Sequence, residues 1–254
     1  MNPVTRALLG LQEMTLLAAR AARGVFKKPR YVPETIQQMD VIGVGSLPII
    51  VLTGFFTGGV LTLQSYGTLA SYGAVDQLGY LVSTSLIREL GPVLCALMVT
   101  GRVVSAISAE LGSMVVSEQI DAMRALGTDP DRKLVAPRIL ALIITLPLLT
   151  VVADLTGIVG GWTVSVFLYS LPSSMFITSV RDGITTDDIV GGVIKPLVFA
   201  FLMGTIACYK GLKTEGGTVG VGRSTTSAVV MASITVIIAD FFLAKALQVI
   251  LSTQ

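Results

Sequence analysis

The chain has 254 residues, 52% of them hydrophobic and only 13% charged, with no histidine and a net charge of +2. That is too apolar for an ordinary soluble domain and reads as an all-α polytopic membrane protein. The missing histidine excludes Ser-His-Asp and Cys-His catalysis, His-ligated zinc and histidine proton relays, and Cys95 and Cys208, each inside an apolar run, indicate neither a disulfide framework nor a metal site.

The chain opens with Leu8, Leu9, Leu11, Leu16 and Leu17 among Arg6, Arg20, Arg23, Lys27, Lys28 and Arg30. Gln12 and Glu13 interrupt the apolar stretch before it reaches the roughly 7 to 15 residues of a secretory signal. The pattern predicts an interfacial amphipathic helix region over 1–38, its cations at the cytoplasmic headgroups, with Pro29 and Pro33 bending the chain toward the first span.

A membrane crossing takes about 20 helical residues, and five apolar runs are long enough: 41–66, 81–109, 139–168, 189–209 and 226–251. The stretch after the first run, 67–80, has no Lys or Arg, whereas the one after the second carries Arg124, Arg132, Lys133 and Arg138. Because Lys and Arg collect on the cytoplasmic side, the N-terminus is expected inside and the C-terminus outside. Gly54, Gly58 and Gly59 in the first span and Gly157, Gly160 and Gly161 in the third read as close helix packing.

The most informative stretch is 85–130. It begins inside the second span with Arg88 and Glu89 near the outer end and leaves the bilayer as a short amphipathic helix, expected over 115–127. There Ile120, Met123 and Gly127 recur at helical spacing, with Ser117, Glu118, Asp121 and Arg124 on the other faces. Such a helix is suited to a partner's groove.

Arg88, Glu89, Asp154, Lys195 and Asp240 fall within or at the edges of spans, where an unsatisfied charge costs at least about 2.5 to 3.5 kcal/mol, so each must face protein, water or a polar ligand. Adjacent residues point about 100° apart on a helix, so Arg88 and Glu89 cannot share one face. Lys195 either snorkels to the outer interface or meets a phosphate. Asp154 and Asp240 read as structural. The run Gly217-x-x-x-x-Gly222-Arg223-Ser224 is no P-loop, since it joins two membrane helices rather than a strand and a helix. It reads as a glycine-rich cytoplasmic turn, with Ser224 or Thr225 capping the fifth span.

The motifs R-E-L-G-P (88–92), G-R-V (101–103), A-E-L-G-S-M (109–114) and E-Q-I-D-A-M-R-A-L-G-T-D-P (118–130) closely resemble the MlaE/YrbE-type permeases, the membrane subunits of ABC transporters that move phospholipids with MCE-domain proteins. The resemblance continues through L-V-A-P-R (134–138), I-K-P (194–196), G-V-G-R-S-T-T (220–226) and D-F-F-L (240–243), nearly the whole chain. It implies a single transmembrane permease domain over 1–254. The substrate contacts it implies are Tyr66, Arg88, Glu89, Leu90 and Lys195, with Tyr66 placed by L-Q-S-Y (63–66), where Ser65 replaces the commoner glycine. Glu118, Gln119, Ile120, Asp121, Met123, Arg124 and Leu126 would form the ATPase-coupling helix. No cofactor is expected in this chain, ATP and magnesium belonging to the partner ATPase. The expected partners are a second copy of the chain, that ATPase, an MCE-domain protein and membrane phospholipid, with no nucleic acid and a bacterial inner-membrane location. Five spans are too few to enclose a two-tailed lipid, so a dimer is expected; the resemblance implies that it meets along the first and fifth spans, with Gly54 and Gly58 packing there and Val229, Val230, Ile234, Val236, Ile237 and Ile238 facing acyl chains. The competing reading is an ion-coupled secondary transporter using Glu89, Asp154 and Asp240. It leaves the amphipathic helix unexplained.

Overall fold

The computed structural model describes residues 3–26 and 31–251, so Lys27, Lys28, Pro29 and Arg30 lie outside the described residues. Among the described residues eight helices run in order: α1 (Pro3–Phe26), α2 (Val32–Ser71), α3 (Val75–Val116), α4 (Gln119–Ala125), α5 (Asp131–Phe167), α6 (Ser173–Gly183), α7 (Thr186–Leu212) and α8 (Gly217–Leu251). No strand occurs among the described residues. Helices α2, α3, α5, α7 and α8 are long and apolar enough to span a membrane. They overrun the predicted spans because helix formation continues past the hydrocarbon: the 40 residues of α2 measure about 60 Å, against a core of about 30 Å.

Two of the elements differ from those the sequence predicts. Helix α6 was not expected, since Ser173, Ser174, Thr178, Arg181 and Asp182 dilute its apolar signal. Phe176, Val180 and Gly183 nevertheless recur at helical spacing. Helix α8 begins at Gly217, so the turn lies at Gly216 and Gly217, both at positive φ (88° and 68°). Ser224 and Thr225 are therefore inside the helix, and the Thr225 hydroxyl donates to the Val221 carbonyl (2.8 Å) instead of capping.

The chain divides into two compact units. The first comprises 1–44, 99–145 and 198–237. Its core holds Ile42, Val104, Ile107, Leu111, Leu142, Phe199 and Met203. Helix α1 seats Leu17, Ala18 and Ala21 and leaves Leu8, Leu9, Leu11 and Leu16 exposed, as an interfacial helix should. Arg20 pairs with Asp131 (3.1 Å), and Glu13 accepts from Lys213 (2.8 Å) and from the Tyr209 hydroxyl (3.1 Å). The Lys213 hydrogen bond holds the Glu13 carboxyl below its ordinary 4.5, and the same bond pushes Lys213 above 10.5. Glu13's stabilising share is thus present above pH 4.5 and lost as pH falls through its lowered folded value, while Lys213's is present below pH 10.5 and lost only above it. Thermal unfolding of wild type and Glu13→Gln should therefore differ by a constant amount near neutrality and converge in acid. A gap that persists in acid would assign the difference to something other than this pair.

The second unit comprises 45–98, 146–197 and 238–254. A core of Leu78, Val82, Leu86 and Phe176 joins α3 to α6, which is pinned further by Tyr80 N–H donating to Ser179 Oγ (2.9 Å) and Trp162 Nε1 donating to Ser173 Oγ (2.8 Å). Helices α2 and α5 meet through two small-residue stripes, Gly54-x-x-x-Gly58 and Gly157-x-x-x-Gly161. A Cβ on Gly54 would lie 2.7 Å from the Ala153 carbonyl oxygen, and one on Gly58 would run into the Gly157 carbonyl. Gly54 and Gly58 thus pack inside this chain and are not available to a dimer face. Val236, in the first unit, is fully buried and so is not available to an acyl chain, whereas Val230, Ile234, Ile237 and Ile238 of α8 are exposed and Val229 is half-buried.

Candidate functional site

Within the second unit a cavity of about 710 Å³ is lined by Arg88 and Glu89 of α3, by Thr185, Asp187, Asp188, Gly191 and Lys195 before and along α7, and by Phe241, Ala244, Lys245, Leu247 and Gln248 of α8. The π-turn Leu86–Leu90 places Arg88 and Glu89 at its wall, and such turns are frequent where a helix must re-aim functional side chains.

The two adjacent charges are satisfied separately, as their divergence on the helix requires. Arg88 Nε donates to Asp188 Oδ1, and Lys195 Nζ donates to Glu89 Oε2 (2.5 Å). Asp188 and Lys195 are seven residues apart, two turns along one face of α7. In each pair the α7 partner is the buried one: the side chains of Asp188 and Lys195 are each 2% exposed, against 53% for Arg88 and 50% for Glu89. The outer halves of both pairs therefore remain open to the cavity. A third carboxylate, Asp240 of α8, stands 3.1 Å from Lys195 Nζ, near enough to pair but out of line for a hydrogen bond.

Asp188 is the residue that sequence reasoning missed. In the sequence it lies with Asp182 and Asp187 between two apolar runs and reads as loop, yet it sits in the first turn of α7 and is held by Thr185, whose N–H (2.9 Å) and hydroxyl (2.8 Å) both donate to Asp188 Oδ2. The Asp188 N–H returns a long bond to Thr185 Oγ1 (3.4 Å). Thr185-x-x-Asp188 is a capping box, a signal present in the sequence. Lys195 does not snorkel outward, and Asp240 belongs to the same charge cluster. Asp154 lies elsewhere in this unit, buried, with Oδ1 unbonded and packed against Gly91.

Tyr66 and Leu90 do not line this cavity. Both pack against the core of Leu78, Val82, Leu86 and Phe176, and the Tyr66 ring stacks on Tyr169 with centroids 3.6 Å apart.

In the first unit, α4 carries the residues of the predicted coupling helix. Glu118 precedes it with left-handed backbone (φ 58°), turning the chain sharply out of α3. The helix ends in a Schellman motif: Gly127, at φ 74°, donates to Arg124 O (3.0 Å) and Thr128 to Met123 O (2.9 Å). Ile120 is buried and Met123 half-buried, whereas Glu118, Gln119, Asp121, Arg124 and Leu126 are exposed, with Arg124 and Asp121 paired at 3.0 Å.

A family model described as Permease MlaE matches residues 35–246. The chain belongs to the MlaE permease family. A probable ABC transporter permease protein of Rickettsia prowazekii is 41% identical over 231 residues, covering 91% of this chain and 89% of that one. The intermembrane phospholipid transport system permease protein MlaE of Haemophilus influenzae is 39% identical over 215 residues, 84% and 82% of the two chains. The chloroplastic protein TRIGALACTOSYLDIACYLGLYCEROL 1 of Arabidopsis thaliana is 36% identical over 230 residues, 91% of this chain and 66% of the plant protein. Membership in a family of ABC permeases favours that reading over the ion-coupled transporter, and it accords with a multi-pass membrane protein.

Proposed function

We propose that this chain is the permease subunit of an ATP-driven phospholipid transporter and that the 710 Å³ cavity receives the lipid. The observation that carries the proposal is the cavity's composition. One part of its wall presents the half-exposed halves of two ion pairs, Arg88 and Glu89, and another presents Phe241, Ala244 and Leu247. A phosphate-bearing headgroup and an acyl chain need those two surfaces side by side. The volume is within the roughly 300 to 1,000 Å³ of small-molecule sites, enough for a headgroup and the start of its tails rather than a whole lipid.

The rest of the lipid path is supplied in this reading by a second copy of the chain. In the most apolar windows of α2 and α8 only 22% and 17% of residues are buried, against 50% in each of the other three spans. Those two helices are the ones left for a symmetry mate and for lipid. ATP and magnesium belong to a separate ATPase docked at α4, an MCE-domain protein exchanges lipid on the outer side, and the membrane is the bacterial inner one, with the N-terminus cytoplasmic and the C-terminus periplasmic. The chain then acts as one transport domain without a cofactor of its own.

The test is ATP-dependent movement of a labelled phospholipid in vesicles containing the purified complex. Glu89→Leu is the informative variant, because Lys195 keeps Asp240 as a counter-charge and the fold is spared. Transport should fall at least tenfold with membrane accumulation unchanged. Full transport by Glu89→Leu, or a purified native complex with no ATPase and no bound lipid by mass spectrometry, would overturn the proposal.

A further inference from the structure

The π-turn at Leu86–Leu90 has a specific cause two residues further on. Pro92 has no N–H, so it can close neither the α-helical bond to Arg88 O nor the π-type bond to Ile87 O. Gly91 N–H is already committed to Leu86 O. An unpaired buried carbonyl is costly in protein and more so in lipid. Both of the carbonyls facing this loss turn toward α7. The Ile87 oxygen lies against Gly192, close enough that a Cβ there would be 3.1 Å away, and the Arg88 oxygen accepts a 2.9 Å hydrogen bond from Lys195 Nζ. Gly192 and Lys195 are three residues apart, on one face of α7.

We propose that Lys195 is a positioning residue: its ammonium replaces the backbone N–H that Pro92 lacks and so holds the π-turn in the register that presents Arg88 and Glu89 to the cavity. The inference rests on the cavity being the lipid site. It assigns Lys195 a different role from a headgroup contact. Its side chain is 2% exposed, two of its donors go to Arg88 O and Glu89, and Asp240 Oδ1 stands 3.1 Å away as a second counter-charge, so the ammonium is enclosed by a carbonyl and two carboxylates rather than presented to a headgroup. The same arrangement explains why a lysine rather than an arginine stands here: a compact ammonium with three rotatable donors can serve a carbonyl and two carboxylates at one point, whereas a planar guanidinium cannot.

The experiment is a rescue. Four full-length chains are compared in the assembled complex: wild type, Pro92→Ala, Lys195→Met and the double variant. Each is measured for labelling by a phospholipid with a photoactivatable acyl chain and for apparent melting temperature. Pro92→Ala should stay within twofold of wild type. Lys195→Met should lose labelling at least tenfold, and the double variant should regain at least threefold of it, because the backbone N–H restored at position 92 can now close the helical bond to Arg88 O. Recovery is partial because Glu89 and Asp240 still lack their cation. No gain in labelling when Pro92→Ala is added to Lys195→Met, or rescue of Lys195→Met by Asp240→Asn instead, would overturn the inference by assigning the lysine's effect to its charge. Where Lys195→Met accumulates poorly, the melting temperature and yield of the double variant give the same comparison, and equal values for single and double overturn it. The Glu89→Leu chain, labelled in parallel, keeps the two questions apart: wild-type labelling there removes the cavity from the lipid path, while the melting-temperature rescue still reads the backbone bond.

Discussion

Membrane accumulation of the Gly58→Val chain should fall at least tenfold below that of Gly67→Val. Both substitutions add the same β-branched side chain to α2, and both positions have ordinary helical backbone, so propensity cancels in the comparison. Only the surroundings differ. Around Gly67 a Cβ would meet nothing within 4 Å, whereas at Gly58 it would collide with the main chain of Gly157 on α5. Main-chain atoms cannot rotate away, so the helices would have to part. The neighbouring close approaches, Gly54 to Ala153 and Gly160 to the Phe55 carbonyl, would part with them. Overpacking of a core costs about 1 to 3 kcal/mol and sometimes more, and separating a small-residue helix interface belongs at or above the upper end. A cost of about 3 kcal/mol corresponds to roughly 6 to 12 °C in a chain of this size. Equal accumulation and equal melting of the two variants would mean that α2 and α5 are not held by this interface.

That stripe also marks where the sequence stopped being legible. The five spans could be read from composition, because a membrane helix announces itself by length and apolarity alone. A Gly-x-x-x-Gly repeat announces close approach but not the partner, and here the partner is α5 of the same chain rather than a second copy. Val236 shows the same limit, since an apolar residue in a span can face lipid or core and only packing decides between them. The charges were half legible. That Arg88 and Glu89 must find separate partners followed from helix geometry, whereas the partners themselves did not. Asp188 was hidden because a capping box looks like loop chemistry until the helix it starts is known, and Asp240 because its neighbour Lys195 is distant in sequence and joined to it only by folding. Pro92 was visible throughout, but its consequence, a carbonyl served by a lysine of another helix, needs the packing of α3 on α7 to be seen.

Leu126→Asp is expected to release the ATPase while leaving the permease in the membrane. Helix α4 has two unlike sides. Ile120 is 3% exposed and holds the helix to its own chain, and Leu126, at the C-cap, is 83% exposed. Ala122, Ala125 and Leu126 form an exposed apolar strip at helical spacing, flanked by Glu118, Asp121 and Arg124. The backbone on both sides fixes how the strip is presented: left-handed Glu118 sets the entry, and the Schellman motif at Gly127 sets the exit. A short rigid helix with an apolar strip and charged flanks is what a groove in a partner can grip. An aspartate in the middle of such a contact would be buried without a counter-charge, and each 1.4 kcal/mol so lost weakens association tenfold. Recovery of the ATPase with the solubilised Leu126→Asp permease should therefore drop at least tenfold, with permease yield unchanged. Ile120→Asp should show the reverse order of effects, losing yield first, because its charge is buried within the chain. Reversing Glu118 and Asp121 together should cost less than Leu126→Asp, since both are exposed, Asp121 is already paired with Arg124, and flanking charges act more on the rate of association than on its strength. Undiminished ATPase recovery and transport in Leu126→Asp would place the docking surface elsewhere than on this helix.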